Sequence, residues 1–235
     1  MIDVSTPDGV RGLFSTRVGG VSVGYYSSLN LGPNTDDARS NVRENWRILA
    51  EASGLATTRL VANRQVHGTQ VHVVEQVGTP ASVEADALVT ERVGVGLLAL
   101  GADCLPILVW RTDGRAVGAV HAGWRGVLGG VIGAAVTRIG GGPFGAAVGP
   151  GIGSCCYPVG DDVRDAFEAE FGASVVEGSA IAVSRAAVIA LIRAGLRAKD
   201  IQVVNRCTAC EPEHFFSYRR DGPLTGRQVG LVWRT

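Results

Sequence analysis

Lysine is nearly absent from this chain: Lys199 is the only one in 235 residues. It sits in a polar, turn-like Arg-Ala-Lys-Asp segment, a poor setting for a Schiff-base nucleophile, which is activated by desolvation. Excess charge is absent too. Lys plus Arg number 22 and Asp plus Glu number 22, a formal net charge of +0, which argues against a footprint for nucleic acid or an anionic membrane surface. There is no long uninterrupted apolar run. The longest, residues 93–110, is broken by Asp103 and Pro106, so no membrane span is expected. The first residues, MIDVSTPDGVRG, lack a basic region followed by an apolar one, and a cytoplasmic protein without a signal peptide is expected. Histidines number only 4 and cysteines 5. An odd number of cysteines in such a compartment speaks for metal ligation or catalysis rather than a disulfide framework.

What is present is concentrated in residues 97–126, LLALGADCLPILVWRTDGRAVGAVHAGWRG. Two apolar runs rich in β-branched residues flank Asp113-Gly114, a strong short-range hairpin signal. With Asp113 and Gly114 as an even-length turn, Arg111 pairs with Ala116 and paired positions sum to 227. Cys104 then lies opposite Gly123. Because side chains alternate faces along a strand, Cys104 and His121 share a face as diagonal neighbours, roughly 7–8 Å apart between backbones. A thiolate and an imidazole placed so can converge on one ion, and zinc is the expected one. Asp103, on the opposite face, is expected to orient a neighbour or to accept from backbone amides.

The remainder frames this hairpin. Residues 10–34 read as a strand, a Gly-rich turn and a loop; Arg17 beside Gly19-Gly20 makes either an anion cradle or an ordinary surface loop with a structural arginine. Residues 37–53 read as a helix capped by Asp36 or Asp37 and stopped by Gly54. A β-rich stretch over 60–78 carries His67 beside Gly68, where a bend can aim its ring inward, and His72, five positions on and expected to be structural. Asp86 begins a short strand, 126–139 reads as one helix, and 161–172 and 184–195 as two more, the last capped by Ser184. IQVV at 201–204 and GLVW near the end read as strands, with Arg219, Arg220 and Arg227 clustered before the latter. Gly149-Pro-Gly-Ile-Gly lacks the spacing of a dinucleotide fingerprint. Cys155 and Cys156 read as small buried residues, and Cys207 with Cys210, a CxxC without a second pair, as buried or incidental cysteines. The irregular alternation of elements predicts the α+β class with α/β-like layers: a single domain over 1–235, its mixed β-sheet packed between helices.

Several stretches together resemble one family: FSTRVGGVSVGYYSSLNLG, NRQVHGTQVH, LGADCLPILV, AVHAGWRGVLGGV, VGPGIGSCCYPVG and FFSYRRDGPLTGRQ. The resemblance is to the laccase-like multicopper polyphenol oxidase family, also called peptidoglycan editing factor and now regarded as zinc-containing purine nucleoside phosphorylases. It implies that His67, Cys104 and His121 bind zinc and form the catalytic centre, and that Arg17 and Asn30 hold phosphate and nucleoside. It implies phosphorolysis of adenosine, inosine, guanosine and methylthioadenosine. Deamination of adenosine is implied as well, although the usual zinc-deaminase signature is absent here. The implied partners are purine nucleosides and phosphate, with the chain a monomer or small homo-oligomer. Two other functions stay open: removal of a misincorporated serine from a peptidoglycan precursor, and a non-catalytic, zinc-stabilised interaction protein. Copper-laccase chemistry fails on arithmetic, because four coppers need far more imidazoles than 4 histidines supply.

Overall fold

The structure is a computed structural model and describes residues 1–76 and 83–235; the end of the β-rich stretch, 77–78, lies outside the described residues. In chain order the elements begin with β1 (Ile2–Asp3), β2 (Val10–Phe14), α1 (Arg39–Ser53), β3 (Leu60–Val61), β4 (Val71–Val73) and β5 (Ala87–Thr90). Next come β6 (Gly96–Gly101), β7 (Leu105–Arg111), β8 (Val117–Ala122), α2 (Trp124–Gly129), α3 (Val131–Ile139) and β9 (Phe144–Val148). The chain continues through α4 (Asp161–Phe171), β10 (Val176–Glu177), β11 (Ala180–Ile181), α5 (Val183–Arg193), β12 (Ile201–Val203), α6 (Tyr218–Asp221) and β13 (Gln228–Arg234).

The class is α+β as expected, and the sheet between the helices is double. A five-stranded sheet runs β1-β2-β13-β6-β3 and a six-stranded sheet runs β12-β9-β7-β8-β5-β4, both mixed. Period-two alternation explains why neither reads as half polar. In β7, Leu108 and Trp110 face the other sheet, while Ile107 and Val109 face the helices. In β6, Leu97 and Ala99 face the sheet interface, and Leu98 and Leu100 meet Leu49 of α1. Strands buried on both faces are continuously apolar. Helices α2 to α5 cover the outer face of the six-stranded sheet through Ile132, Phe167 and Leu191. Among the described residues, no helix is long and apolar enough to cross a membrane.

The hairpin register matches the expected one: pairs from Leu105↔Ala122 to Trp110↔Val117 all sum to 227, and Arg111 N–H donates to the Ala116 carbonyl at 3.0 Å. Three helix expectations need correction. Neither Asp36 nor Asp37 caps the first helix, which starts at Arg39 after Ala38 with no side-chain cap. The 126–139 segment is two helices, because Gly130 adopts φ 88° and ends α2 before α3 begins. Ser184 is no cap, since α5 starts at Val183 with no side-chain cap.

Candidate metal centre

Three segments distant in sequence deliver His67, Cys104 and His121 to one point. One donor atom from each lies within 4.8 Å of the others. Cys104 Sγ is 3.8 Å from His67 Nε2, and the two imidazole rings sit 4.9 Å apart at 80°. Cys104 immediately precedes β7, His121 lies in β8, and His67 sits in the bend after β3. His67 has φ 60° and Asp103 φ 93°, the only two non-glycine residues among those described in the left-handed region. Such conformations cost on the order of 1 kcal/mol or more and persist where surrounding structure enforces them.

Asp86 supplies most of that enforcement. It is 2% exposed, and its carboxylate accepts from the backbone N–H of Val66, His67 and Gly68 at 3.1, 2.9 and 2.7 Å. The same carboxylate lies 2.8 Å from His121 Nδ1. A carboxylate can only accept, so Nδ1 carries the proton and Nε2 is left to bind. One buried side chain therefore shapes the His67 bend and sets the His121 tautomer. Burial disfavours the charge on Asp86, yet hydrogen bonds from His121 and from the Gly68 and Val66 amides hold its carboxyl below the usual range. Asp86 was visible in the sequence only as the start of a strand; no local signal marks it as the link between two histidines.

The thiol and the buried imidazole shift each other. Burial opposes the Cys104 thiolate, but the charge and hydrogen bond of His121, with a further bond from His67, bring the thiol well below its ordinary value. Burial likewise opposes the His121 imidazolium, but Cys104 and Asp86 raise it. The shifts run toward thiolate and imidazolium, so a metal ion bound here would take the thiolate directly and displace the Nε2 proton of His121, which makes binding pH-dependent.

Asp103 accepts from Thr208 Oγ1 at 2.6 Å and from Arg219 N–H at 2.6 Å, which pins the turn beside Cys104. Gly123 faces the cluster. A Cβ there would stand 3.0 Å from both Cys104 Sγ and the His67 ring, while its own backbone, at φ −73°, suits any residue. Gly123→Ala is therefore expected to leave the melting temperature nearly unchanged and to weaken metal binding by about tenfold or more. Metal titration alongside thermal unfolding checks this.

The two expected anion ligands are engaged by the chain itself. Arg17 donates to the carbonyls of Ser27 and Pro212 at 2.6 and 2.9 Å and stacks on Phe216. Gly19 and Gly20 spend their amides on the Ser28 hydroxyl, so the N-terminal turn presents no open cradle. Asn30 is buried: Nδ2 donates to Thr35 and Asp37, and Oδ1 accepts from the Gly32 and Arg227 amides. Arg227 stands beside the centre, its Nη1 donating to the carbonyls of Thr225 and Gly226 at 2.8 Å each. With His67, His121, Thr35, Asn63 and Gln65 it lines a cavity of about 280 Å³. Burial lowers its pKa, offset in part by Cys104 and Asp103. A larger cavity of about 380 Å³ beside Thr90, Arg92 and Arg138 contains no histidine or cysteine, so size does not mark the site. His72 pairs with Asn63 at 2.9 Å and stays outside the cluster.

Cys155, Cys156, Cys207 and Cys210 also differ from expectation. They are neither scattered nor buried: their four sulfurs lie within 4.8 Å of one another, with Cys155 and Cys210 exposed.

Fold and site together define a double-sheet α+β protein with a His/Cys/His cluster suited to a metal ion. The chain belongs to the family described as multi-copper polyphenol oxidoreductase laccase, whose model matches residues 11–235. Among its relatives is purine nucleoside phosphorylase YfiH of Escherichia coli, 38% identical over 234 residues, covering 97% of this chain and 95% of the relative. Purine nucleoside phosphorylase of Deinococcus radiodurans is 40% identical over 232 residues, covering 93% and 87%. The crystal structure of YlmD from Geobacillus stearothermophilus superposes with a TM-score of 0.89 at 35% identity, covering 96% of this chain and 92% of that one.

Proposed function

We propose that this chain is a zinc-dependent purine nucleoside phosphorylase that cleaves adenosine, inosine, guanosine and methylthioadenosine with phosphate. The observation that carries the reading is the meeting of His67, Cys104 and His121, two of which line a cavity shared with Arg227, in a chain whose relatives are named for that activity. Two imidazoles and one thiolate suit a borderline-soft ion such as zinc, and three protein ligands leave a position open, as catalytic sites do. Zinc bound there supplies Lewis-acid polarisation of an oxygen ligand.

The chain's own groups do the rest. Asp86 keeps His121 in the tautomer that presents Nε2 and holds the His67 bend. Arg227 keeps a positive charge beside the cavity, where an attacking phosphate would otherwise meet the Cys104 thiolate. Charge of that sign favours the anionic nucleophile that the electron-poor ribose demands as the base departs. Asn30 holds the Arg227 backbone, and Arg17 braces Ser27 and Pro212; both act by positioning. The purified protein given inosine and phosphate is expected to release hypoxanthine in a phosphate-dependent manner. No product above a His121→Ala control would reject the reading. Release of ammonia from adenosine in the same assay tests the deaminase reading, and release of serine from a serine-substituted muramoyl nucleotide tests the editing amidase.

A further inference from the structure

We infer that Cys155, Cys156, Cys207 and Cys210 form a second metal centre, a closed four-thiolate zinc site that staples two loops together. The topology makes the meeting inevitable once the sheet forms. Strands β9 and β12 are parallel neighbours, with Ala146 beside Ile201 and Val148 beside Val203. The loops leaving their C-terminal ends therefore emerge side by side. Pairing continues past the strands through the Gly151↔Cys207 bridge, and Thr208 N–H donates to the Gly151 carbonyl at 3.0 Å. Cys155 and Cys156 lie on the single turn Ser154–Cys156.

The distances suit a metal better than a disulfide. Cys210 Sγ lies 3.5 Å from Cys155 Sγ and 3.3 Å from Cys156 Sγ. A tetrahedral zinc with Zn–S bonds near 2.3 Å sets its sulfurs about 3.8 Å apart, whereas a disulfide needs about 2.05 Å. The turn lets two adjacent cysteines, unusual as paired ligands, both approach Cys210. Gly153 N–H donates to Cys207 Sγ at 3.2 Å, the outer-sphere hydrogen bond that steadies a thiolate ligand. Four cysteine donors close the coordination shell, so the site is structural, in contrast to the three-donor centre. Its mechanical reach is specific. Thr208, between Cys207 and Cys210, donates to Asp103 at 2.6 Å, and Asp103 adjoins Cys104. The staple thus braces the turn that presents the thiol of the first centre.

The test uses the full chain, expressed with zinc and purified reduced. Metal analysis is expected to find about two zinc equivalents per chain, and about one in either a Cys207→Ser/Cys210→Ser variant or a His121→Ala variant. Cobalt(II) added to metal-free His121→Ala protein is expected to give an intense thiolate-to-cobalt charge-transfer band with visible bands of a tetrahedral ion. Should the double cysteine variant fail to fold, that cobalt spectrum on the otherwise intact quartet decides the matter. A wild-type chain holding one equivalent, all of it lost in His121→Ala, overturns the proposal. So does an intact mass lower by the two hydrogens of a disulfide within the quartet of the metal-replete protein. Neither result depends on phosphorolysis, so the nucleoside reading stands or falls separately.

Discussion

Asp86→Ala is expected to destabilise the protein by about 3 to 5 kcal/mol, the cost of removing one partner from a buried, charge-assisted network. Three backbone amides and His121 Nδ1 lose their acceptor at once, and water cannot replace it at a residue 2% exposed. For a chain of this length that corresponds to roughly 10 °C in melting temperature. Metal binding should fall by about 10- to 100-fold, because His67 loses its bend and His121 its fixed tautomer. Thermal unfolding and metal titration of the same preparation check both. The pH dependence carries a sign. A carboxyl held below its ordinary value contributes stability that is fully present above that value and is lost as pH falls through the lowered one. The variant should therefore lose less stability on acidification than the wild type. An equal loss would mean that Asp86 carries no native-state charge network.

Cys104→Ser is expected to reduce kcat/KM for phosphorolysis by about a thousandfold, about 4 kcal/mol of transition-state stabilisation at 1.36 kcal/mol per decade. The change removes one sulfur and little volume, at a half-buried position flanked by the pinned Asp103 turn. Folding should survive, as cooperative thermal unfolding of the metal-free protein would show, with some stability lost because buried His121 keeps Asp86 but gives up its other charge partner. The thiolate itself can be observed. In the metal-free wild type, Cys104 should absorb as a thiolate at neutral pH, and His121→Ala should return it toward an ordinary thiol. Stability should respond little. The lowered thiol contributes most above its ordinary value of 9.0, and that contribution is lost as pH falls through the lowered one. The raised imidazole contributes most below its ordinary value of 6.5, and that contribution is lost as pH rises through the raised one. Between 6.5 and 9.0 the two run in opposite directions. Near-wild-type turnover in Cys104→Ser would sink the proposed reaction centre.

Much of this site is legible in the sequence. The Asp113-Gly114 turn fixes the parity of β7 against β8, and parity alone puts Cys104 and His121 on one face. The bend at His67 was marked by the adjoining glycine. Arg17 and Asn30 stand in stretches shared with the family, and both bond within the chain: Arg17 Nε and Nη1 to backbone carbonyls, Asn30 to two backbone amides and to the side chains of Thr35 and Asp37. The continuous apolar runs of β6 and β7 fit burial on both faces, but a buried face looks the same in sequence whether a helix or a second sheet covers it.

Short-range rules, readable along the chain, govern the hairpin register, the helix-stopping Gly54 and the thiol–imidazole pair that register brings together. The partners that meet across long loops follow from how the strands pair and pack. Asp86 reaches His121 because β5 pairs with β8. Arg227 arrives on the approach to the last strand, and four cysteines converge because β9 and β12 run parallel. Turn chemistry and side-chain alternation act over a few residues. The closure of long loops is settled by the packing of the whole chain, and no window of sequence contains it.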